Sequence, residues 1–401
     1  MIPIDDVLEA LDLSRAEPGS GFLEALFVRF NARVPFENAS KILRDAEVPD
    51  FDVKPRTPDV FWADHLERGA GGTCFARVAA FDALVGALGF RARRVLGRVR
   101  NDFDHAALLV ETPSGEVIAD VGFPLPALLP ARPGLVETAL GGMRSAATGR
   151  GWHVAFEGGV PEGSREIEIF GPAVTEEEFL QRWRSTFRRP ALFLKEVSLR
   201  ADRGNRAVSF ARGEVRVDDL HSRLRVPLPA PRDAALSELF GVDRDLLARA
   251  FAAAGSPGPS SANATLTAYL ETDASPEAAF AAIASPDGYR RLVGGVADVV
   301  DGGRTLSGYR LRLSAGGGDP AATLEEEITP DADSHTLSVL RRGGGSESRS
   351  SWRAEEREGK TWLLREATLT GSREDLLRND SLRGRLAGSL AVDLLAWARL
   401  L

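Results

Sequence analysis

A run of glycine, proline and serine at residues 254–261, Ala-Gly-Ser-Pro-Gly-Pro-Ser-Ser, sets the first limit on how this chain folds. Gly and Pro punctuate it so heavily that no helix or strand is expected to cross it. The chain is therefore read as two domains, 1–254 and 262–401, with a linker at 255–261. Each segment has length enough for its own core, and 43% hydrophobic with 27% charged residues are ordinary globular proportions. A formal net charge of −8 argues against a broad nucleic-acid footprint or an anionic membrane partner. No apolar run is long enough to span a bilayer. The start, Met-Ile-Pro-Ile-Asp-Asp, has neither a basic flank nor an apolar signal core. A cytoplasmic location is expected.

The first segment opens as helix: Leu23, Leu26, Phe27 and Phe30 share one helix face. A second helix is expected from Thr73, its cap, with Phe75, Val78, Ala79, Leu84, Val85 and Leu88 as its apolar stripe and Gly89 at its end. Strands follow at 94–100, 105–111 and 116–121, the last two joined by the turn Pro113-Ser114-Gly115. Strand 105–111 is apolar on both faces and therefore central. More strands surround a helix at 176–188, and a helix at 239–253 closes the segment. Helices followed by antiparallel strands predict an α+β fold, not a doubly wound sheet. The second segment alternates Ala264, Leu266, Ala268 and Leu270 on one strand face. Helix starts follow at Ser275-Pro276-Glu277 and Ser285-Pro286. Strands divided by glycine turns at 316–318 and 343–345 lead to a final helix whose buried face carries Leu382, Leu386, Leu390, Leu394 and Trp397.

Cys74 is the single cysteine, which excludes an internal disulfide and a multi-thiolate metal site. With five histidines in the chain, no metal is expected. Cys74 follows Gly71-Gly72-Thr73 and opens a helix. A helix N-terminus offers positive potential and unpaired amides, which favour a thiolate nucleophile and hold an oxyanion. The two glycines would let a substrate approach the backbone closely. The bland alternative is that Cys74 is a small buried hydrophobe. His105 and Asp120 weigh against it. With a two-residue turn at Pro113-Ser114 or Ser114-Gly115, Asp120 falls opposite Ala107 or Leu109, on the same face as His105. A histidine there activates the thiol and the aspartate fixes the imidazole, a nucleophile–base–orienter arrangement. Otherwise His105 is a satisfied core histidine and Asp120 a strand-end residue bonding loop amides. A buried carboxylate needs a partner.

These residues carry a resemblance. Residues 1–254 resemble the arylamine N-acetyltransferases through Val34-Pro35-Phe36-Glu37-Asn38, Gly71-Gly72-Thr73-Cys74-Phe75, His105 with Leu108-Leu109-Val110, Asp120-Val121-Gly122-Phe123 and Leu239-Phe240-Gly241-Val242. The resemblance implies a helical bundle, a β-barrel and a smaller α/β lid. It also implies ping-pong acyl transfer from acetyl-CoA, as donor substrate, through Cys74 to an aromatic amine or hydrazine. His105 would be general base and acid, Asp120 the orienter, and Phe36 and Phe123 would line the acceptor pocket. The chain departs from the family pattern at Ala70, at Ala76-Arg77-Val78 and at Pro124. Those changes leave donor and acceptor open and suit an amide synthase acting on a carrier-bound thioester equally well. A thiol hydrolase of transglutaminase type and a catalytically degenerate ligand-binding protein are the other readings.

Residues 262–401 resemble the helix-grip domains of the polyketide cyclase, START and Bet v 1-like (SRPBCC) superfamily, by element order and by the Ser-Pro-Glu-Ala-Ala-Phe and Ser-Pro-Asp-Gly-Tyr stretches. That resemblance implies an apolar ligand between sheet and long helix; a packing module is the plainer alternative. His65, His153 and His221 have no patterned company, and His335 is expected in a strand. Glu325-Glu326-Glu327 is read as a solvated charge run before a cation site. Arg93-Arg94 and Arg188-Arg189 are either solvated or meet a CoA phosphate.

Overall fold

The computed structural model describes residues 2–123, 125–157, 166–188, 191–254, 258–259, 263–293, 298–305, 307–314, 323–343, 346–357, 359–369 and 372–401. Pro124, Arg189, the glycine turn at 316–318, positions 344–345 and most of the 255–261 stretch lie outside the described residues. The chain divides into two compact units, Met1–Leu220 with Leu228–Ser260, and His221–Pro227 with Ser261–Leu401. Residues 221–227, which the sequence reading leaves with the first segment, thus go with the second.

In the first unit, helices Ile4–Ala10, Ser20–Arg33, Ala39–Glu47 and Pro58–Arg68 precede the helix Cys74–Ala87. Leu23, Leu26, Phe27 and Phe30 are buried, as their spacing requires, and join Phe61, Trp62, Phe81, Leu84, Val95, Ala107 and Leu109 in one core. Each large apolar side chain contributes about 1.5–3 kcal/mol on burial. An antiparallel sheet runs in the order Leu129–Pro130, Gly115–Ala119, Asp102–Thr112, Ala92–Arg98, Glu166–Ala173, Gly151–Glu157, Gly141–Ala147, Gly134–Thr138. Leu129–Pro130 approaches Gly141–Ala147, so the sheet is a partly closed barrel. The helix Cys74–Ala87 packs on its two central strands, Asp102–Thr112 and Ala92–Arg98. Four further antiparallel strands run in the order Phe36–Glu37, Leu199–Asp202, Ala207–Ala211, Glu214–Asp218.

The single helix expected at 239–253 is two, Asp233–Phe240 and Arg244–Ala254. Gly241 ends the first in the left-handed conformation (φ 73°), which glycine adopts without a Cβ penalty. Asp243 then accepts the Leu246 amide at 2.9 Å and starts the second. The pairs Arg93–Glu116 (2.8 Å) and Arg94–Asp82 (2.7 Å) engage the arginines considered for CoA phosphate. Arg188 lies over the Phe51 ring.

The second unit is a sheet in the order Ser222–Pro227, Ala264–Thr272, Lys360–Leu369, Ser346–Arg357, Thr336–Gly343, Thr323–Asp331, Tyr309–Ser314, Asp298–Arg304. Helices Pro276–Ala284, Pro286–Val293, Arg373–Arg378 and Asp380–Ala398 accompany it. Ser275 caps the first by accepting the Ala278 amide. In Asp380–Ala398 only the C-terminal part of the expected stripe, Leu390, Leu394 and Trp397, is buried; Leu382 and Leu386 are half-buried. The triplet 325–327 is not a solvated run, because the two-residue period of a strand turns its middle member inward. Glu326 is fully buried and accepts from Tyr289 Oη at 3.0 Å and Arg341 Nε at 2.8 Å. His335 lies in a turn before Thr336–Gly343, with φ 47°, rather than in a strand. Among the described residues no helix is long and apolar enough to cross a membrane.

Strand Ala264–Thr272 pairs on one side with Ser222–Pro227 through Leu266–Leu224 and Ala268–Ser222. A 262–401 fragment exposes that edge, and an open edge templates association. It should unfold at a lower temperature, and associate more readily, than the same fragment carrying residues 221–227 on a short Gly-Ser link. Two monomeric fragments of equal thermal stability would contradict this.

Candidate active site

The turn between Asp102–Thr112 and Gly115–Ala119 has two residues, Pro113 and Ser114, so Thr112 faces Gly115 and Leu108 faces Ala119. Continued by one residue, that register sets Asp120 opposite Ala107 and brings it to the face of His105. The two side chains meet: His105 Nε2 lies 2.7 Å from Asp120 Oδ2. Asp120 is 0% exposed and His105 2%. The other carboxylate oxygen, Oδ1, accepts the amides of Gly122 (2.9 Å) and Phe123 (2.8 Å). One residue before His105, the Asp104 carboxylate gathers the amides of Val99, Arg100 and Asn101. It thereby fixes the loop that leads into His105.

Cys74 is the first residue of its helix and 7% exposed. Its Sγ is 3.9 Å from the Asp104 carbonyl oxygen. Gly122 sits between nucleophile and base: a Cβ there would lie 2.9 Å from Cys74 Cβ and 3.0 Å from His105 Cε1. Since Nε2 faces Asp120, Nδ1 is the nitrogen left for the thiol. Burial pulls the His105 imidazolium down, but the charge and hydrogen bond of Asp120, aided by a hydrogen bond and charge from Cys74, override it and hold the group up to about 10. The structure thus brings Cys74, His105 and Asp120 together.

Thr73 occupies the N-cap position in extended conformation, yet its side chain makes no capping hydrogen bond. The first-turn amides are left uncapped by it, against the sequence expectation. The glycines before it also serve the protein's own packing: a Cβ at Gly71 would fall 1.8 Å from the Pro35 oxygen. That approach lets Phe36 bridge Gly72, with the Glu37 amide donating to the Gly72 carbonyl at 3.2 Å. The Pro-Phe-Glu-Asn stretch has its own local logic. Glu37 accepts the Ser40 amide at 2.9 Å at the start of Ala39–Glu47. Asn38 ties down residues 193–198 through Phe193 O, Glu196 O and the Ser198 amide.

Of the two expected pocket residues, half-buried Phe123 has its ring centroid 6.5 Å from that of His105 and 6.0 Å from that of Phe156. Phe36 packs edge-on against Phe193, 5.4 Å away. His65 is a core residue: its Nδ1 is 3.1 Å from Ala70 O, and burial pushes its pKa down to about 4.

The sequence reading missed Lys41 and Arg56. Lys41 is 6% exposed, donates from Nζ to Thr186 Oγ1 at 2.8 Å and lies over the Phe187 ring. Together with Arg44, Lys54 and Arg56 it walls a water-sized cavity whose other wall is Gly72, Thr73 and Ala76. Arg56 donates to the Gly71 carbonyl and pairs with Asp64 at 2.9 Å. A lysine one residue before Ile42-Leu43 was the available signal.

Comparison with known proteins finds similarity over the N-terminal part. Residues 21–139 match the family model described as N-acetyltransferase. An arylamine N-acetyltransferase of Escherichia coli K12 is 33% identical over 108 residues, 25% of this chain and 36% of the relative. The match thus spans about a third of that relative. The arylamine N-acetyltransferase of M. tuberculosis is similar in fold, with a TM-score of 0.54 at 19% identity over 63% of this chain and 100% of that one. That of Mycobacterium marinum in complex with CoA gives 0.52 at 18%, over 62% and 97%. At such identities the structures establish the fold. Over residues 21–139 the chain is thus similar to the N-acetyltransferase family model and, in part, to an arylamine N-acetyltransferase.

Lys41 supplies a prediction. Burial lowers its pKa to about 8, against the raising charges of Cys74 and Asp45. Below pH 8 both folded and unfolded chains hold the proton, and only the folded chain bears the desolvation cost, roughly 3 kcal/mol as an upper bound. Between pH 8 and the unfolded value of 10.5 the cost is relieved. Lys41→Met should therefore raise Tm at pH 7 by several degrees, at about 2–4 °C per kcal/mol, and the gain should shrink by pH 10. The same gain at both pH values in thermal unfolding would contradict this.

Proposed function

We propose that the first unit is a cysteine-dependent N-acyltransferase, working through an acyl-enzyme on Cys74. The single observation that carries this reading is the buried His105–Asp120 pair beside the only thiol of the chain. With His105 already an imidazolium, the Cys74 thiolate attacks a thioester carbonyl; as the donor's C–S bond breaks, the imidazolium gives its proton to the departing thiolate. In the second half His105 takes a proton from the attacking amine, and the C–S bond to Cys74 breaks as the C–N bond forms. Asp120 holds the imidazole by Nε2 throughout and supports its charge. The first-turn amides of Cys74–Ala87 face the oxyanion with the positive end of the helix dipole. Phe123 and Phe156 supply an apolar wall for an aromatic acceptor.

The donor we favour is acetyl-CoA. The residues present fit its thioester end; no residue is assigned to its nucleotide end. Acyl-CoA supplies an activated acyl carbonyl with a thiolate leaving group. The Mycobacterium marinum protein of similar fold is described in complex with CoA.

For the second unit we infer a helix-grip domain of SRPBCC type that holds an apolar or aromatic ligand beneath Asp380–Ala398. The order strand, helix, short helix, antiparallel sheet, long helix supports it, as does the packing of Trp397 edge-on to Trp352 with its Nε1 donating to Ala279 O at 2.8 Å. Its role would be to present or select the acceptor. Titrating Cys74→Ala with aromatic amines should find more than one bound amine per chain; one or none would count against the domain's role.

Acyl transfer is tested by intact mass after incubation with acetyl-CoA, where an adduct of about 42 Da, one acetyl group, should form and be absent in Cys74→Ala. His105→Ala and Asp120→Asn should each slow transfer by at least about a hundredfold, since base and orienter act as a unit. An unmodified native chain, or near-normal turnover in either variant, would contradict the assignment.

A further inference from the structure

We propose that Arg77, with Asn31, is a positioning residue of the Cys74–His105–Asp120 centre, holding by its carbonyls the loop that carries Asp120 and Phe123. The inference rests on the catalytic reading above and deepens it.

Arg77 lies one helical turn beyond the nucleophile and is 0% exposed. Its guanidinium is spent almost wholly on the site's framework. Nε donates to Val121 O at 2.6 Å, Nη2 to Asn31 Oδ1 at 2.7 Å, and Nη1 to Val34 O, the carbonyl just before Pro35-Phe36. The plane packs over the Phe30 ring at 4.8 Å. Asn31 passes the hold on, donating from Nδ2 to Leu125 O at 3.1 Å. The loop is therefore pinned at residues 121 and 125, on either side of Gly122 and Phe123. Those are the residues whose amides grip Asp120 Oδ1. The Leu125 amide also returns to Asp120 O at 3.1 Å.

A buried guanidinium is expensive, and well-packed apolar side chains often replace buried charges without loss of stability. What an apolar side chain cannot do is satisfy three acceptors on two segments, the end of helix Ser20–Arg33 and the loop at Val121, in fixed geometry. Burial pulls the guanidinium down to about 9, opposed by the charges of Asp202, Asp120 and Glu37 and assisted by that of Arg200. Asp120 is thus one of the anions that balance Arg77. The carboxylate that faces His105 is held both mechanically, through Val121 and Leu125, and by a fixed positive charge.

With one cysteine in the full chain, alkylation of Cys74 by iodoacetamide reads the centre without any assumption about donor or acceptor. Its rate is followed by intact mass from pH 5 to 10 in wild type, Arg77→Lys, Arg77→Met, Asn31→Ala and Asp120→Asn, with thermal unfolding confirming that each is folded. Arg77→Met should react at least about tenfold more slowly than wild type below pH 8, as expected for a displaced base. Its pH profile should take the shape of the Asp120→Asn profile, and Arg77→Lys should recover most of the rate. A folded Arg77→Met with the wild-type rate and profile overturns the proposal. If Arg77→Met does not fold, Asn31→Ala carries the test: a shifted profile supports the clamp and an unchanged one overturns it. A wild-type thiol that reacts only in denaturant overturns instead the catalytic reading on which the clamp rests.

Discussion

The hydrogen bond between His105 Nε2 and Asp120 Oδ2, 2.7 Å long and closed off from solvent, is the contact around which the first unit is arranged. An ionised carboxylate in such a place costs several kcal/mol unless its oxygens are filled. Both are: one by the imidazole, the other by the amides of Gly122 and Phe123. That arrangement dictates the two-residue turn at Pro113-Ser114, because a shift of one residue would send Asp120 to the opposite face. It dictates a glycine at 122, where a side chain would strike Cys74 and His105. It also sets the packing of helix Cys74–Ala87 on strand Asp102–Thr112, which delivers the thiol to the imidazole.

Positive charge gathers around the same centre. Lys41, Arg56 and Arg77 are all nearly or wholly buried, and all bond to or border the segments that hold Cys74 and Asp120. Three buried cations are a poor way to stabilise a fold. They are a reasonable way to hold anions where chemistry needs them, since local rules of burial are most often broken at functional sites. The second unit also buries charge, with Glu326 fully buried against Tyr289 and Arg341 and Arg365 paired with Asp393.

Much of the triad was legible in the sequence because local rules fix it. Thr73-Cys74 reads as a helix start, and the Pro-Ser turn reads as a hairpin whose period-two faces pair His105 with Asp120. The alternative turn at Ser114-Gly115 is the one the backbone does not use. What was not legible depends on contacts distant in sequence. Arg77 reaches Asn31, 46 residues away, and Lys41 reaches Thr186, 145 residues away; no periodicity reports such pairs. Strand Ser222–Pro227 goes with the second unit through its pairing with Ala264–Thr272, across the punctuated stretch that marked the expected boundary. The break at Gly241 was visible as a glycine, but the apolar pattern on both sides ran on and masked it. Glu326 was hidden in a run of three identical residues, where composition suggests solvent and the strand period decides otherwise.

The central claim is that Asp120 and Cys74 keep His105 charged in the folded protein. Nitrogen-15 NMR of the imidazole, in a chain labelled at histidine, measures this directly. The account predicts that His105 stays an imidazolium through neutral pH and titrates near pH 10, and that its midpoint falls in Cys74→Ala and falls further in Asp120→Asn. A His105 that titrates near the ordinary value of 6.5 in the wild-type chain, unmoved by either substitution, would contradict it.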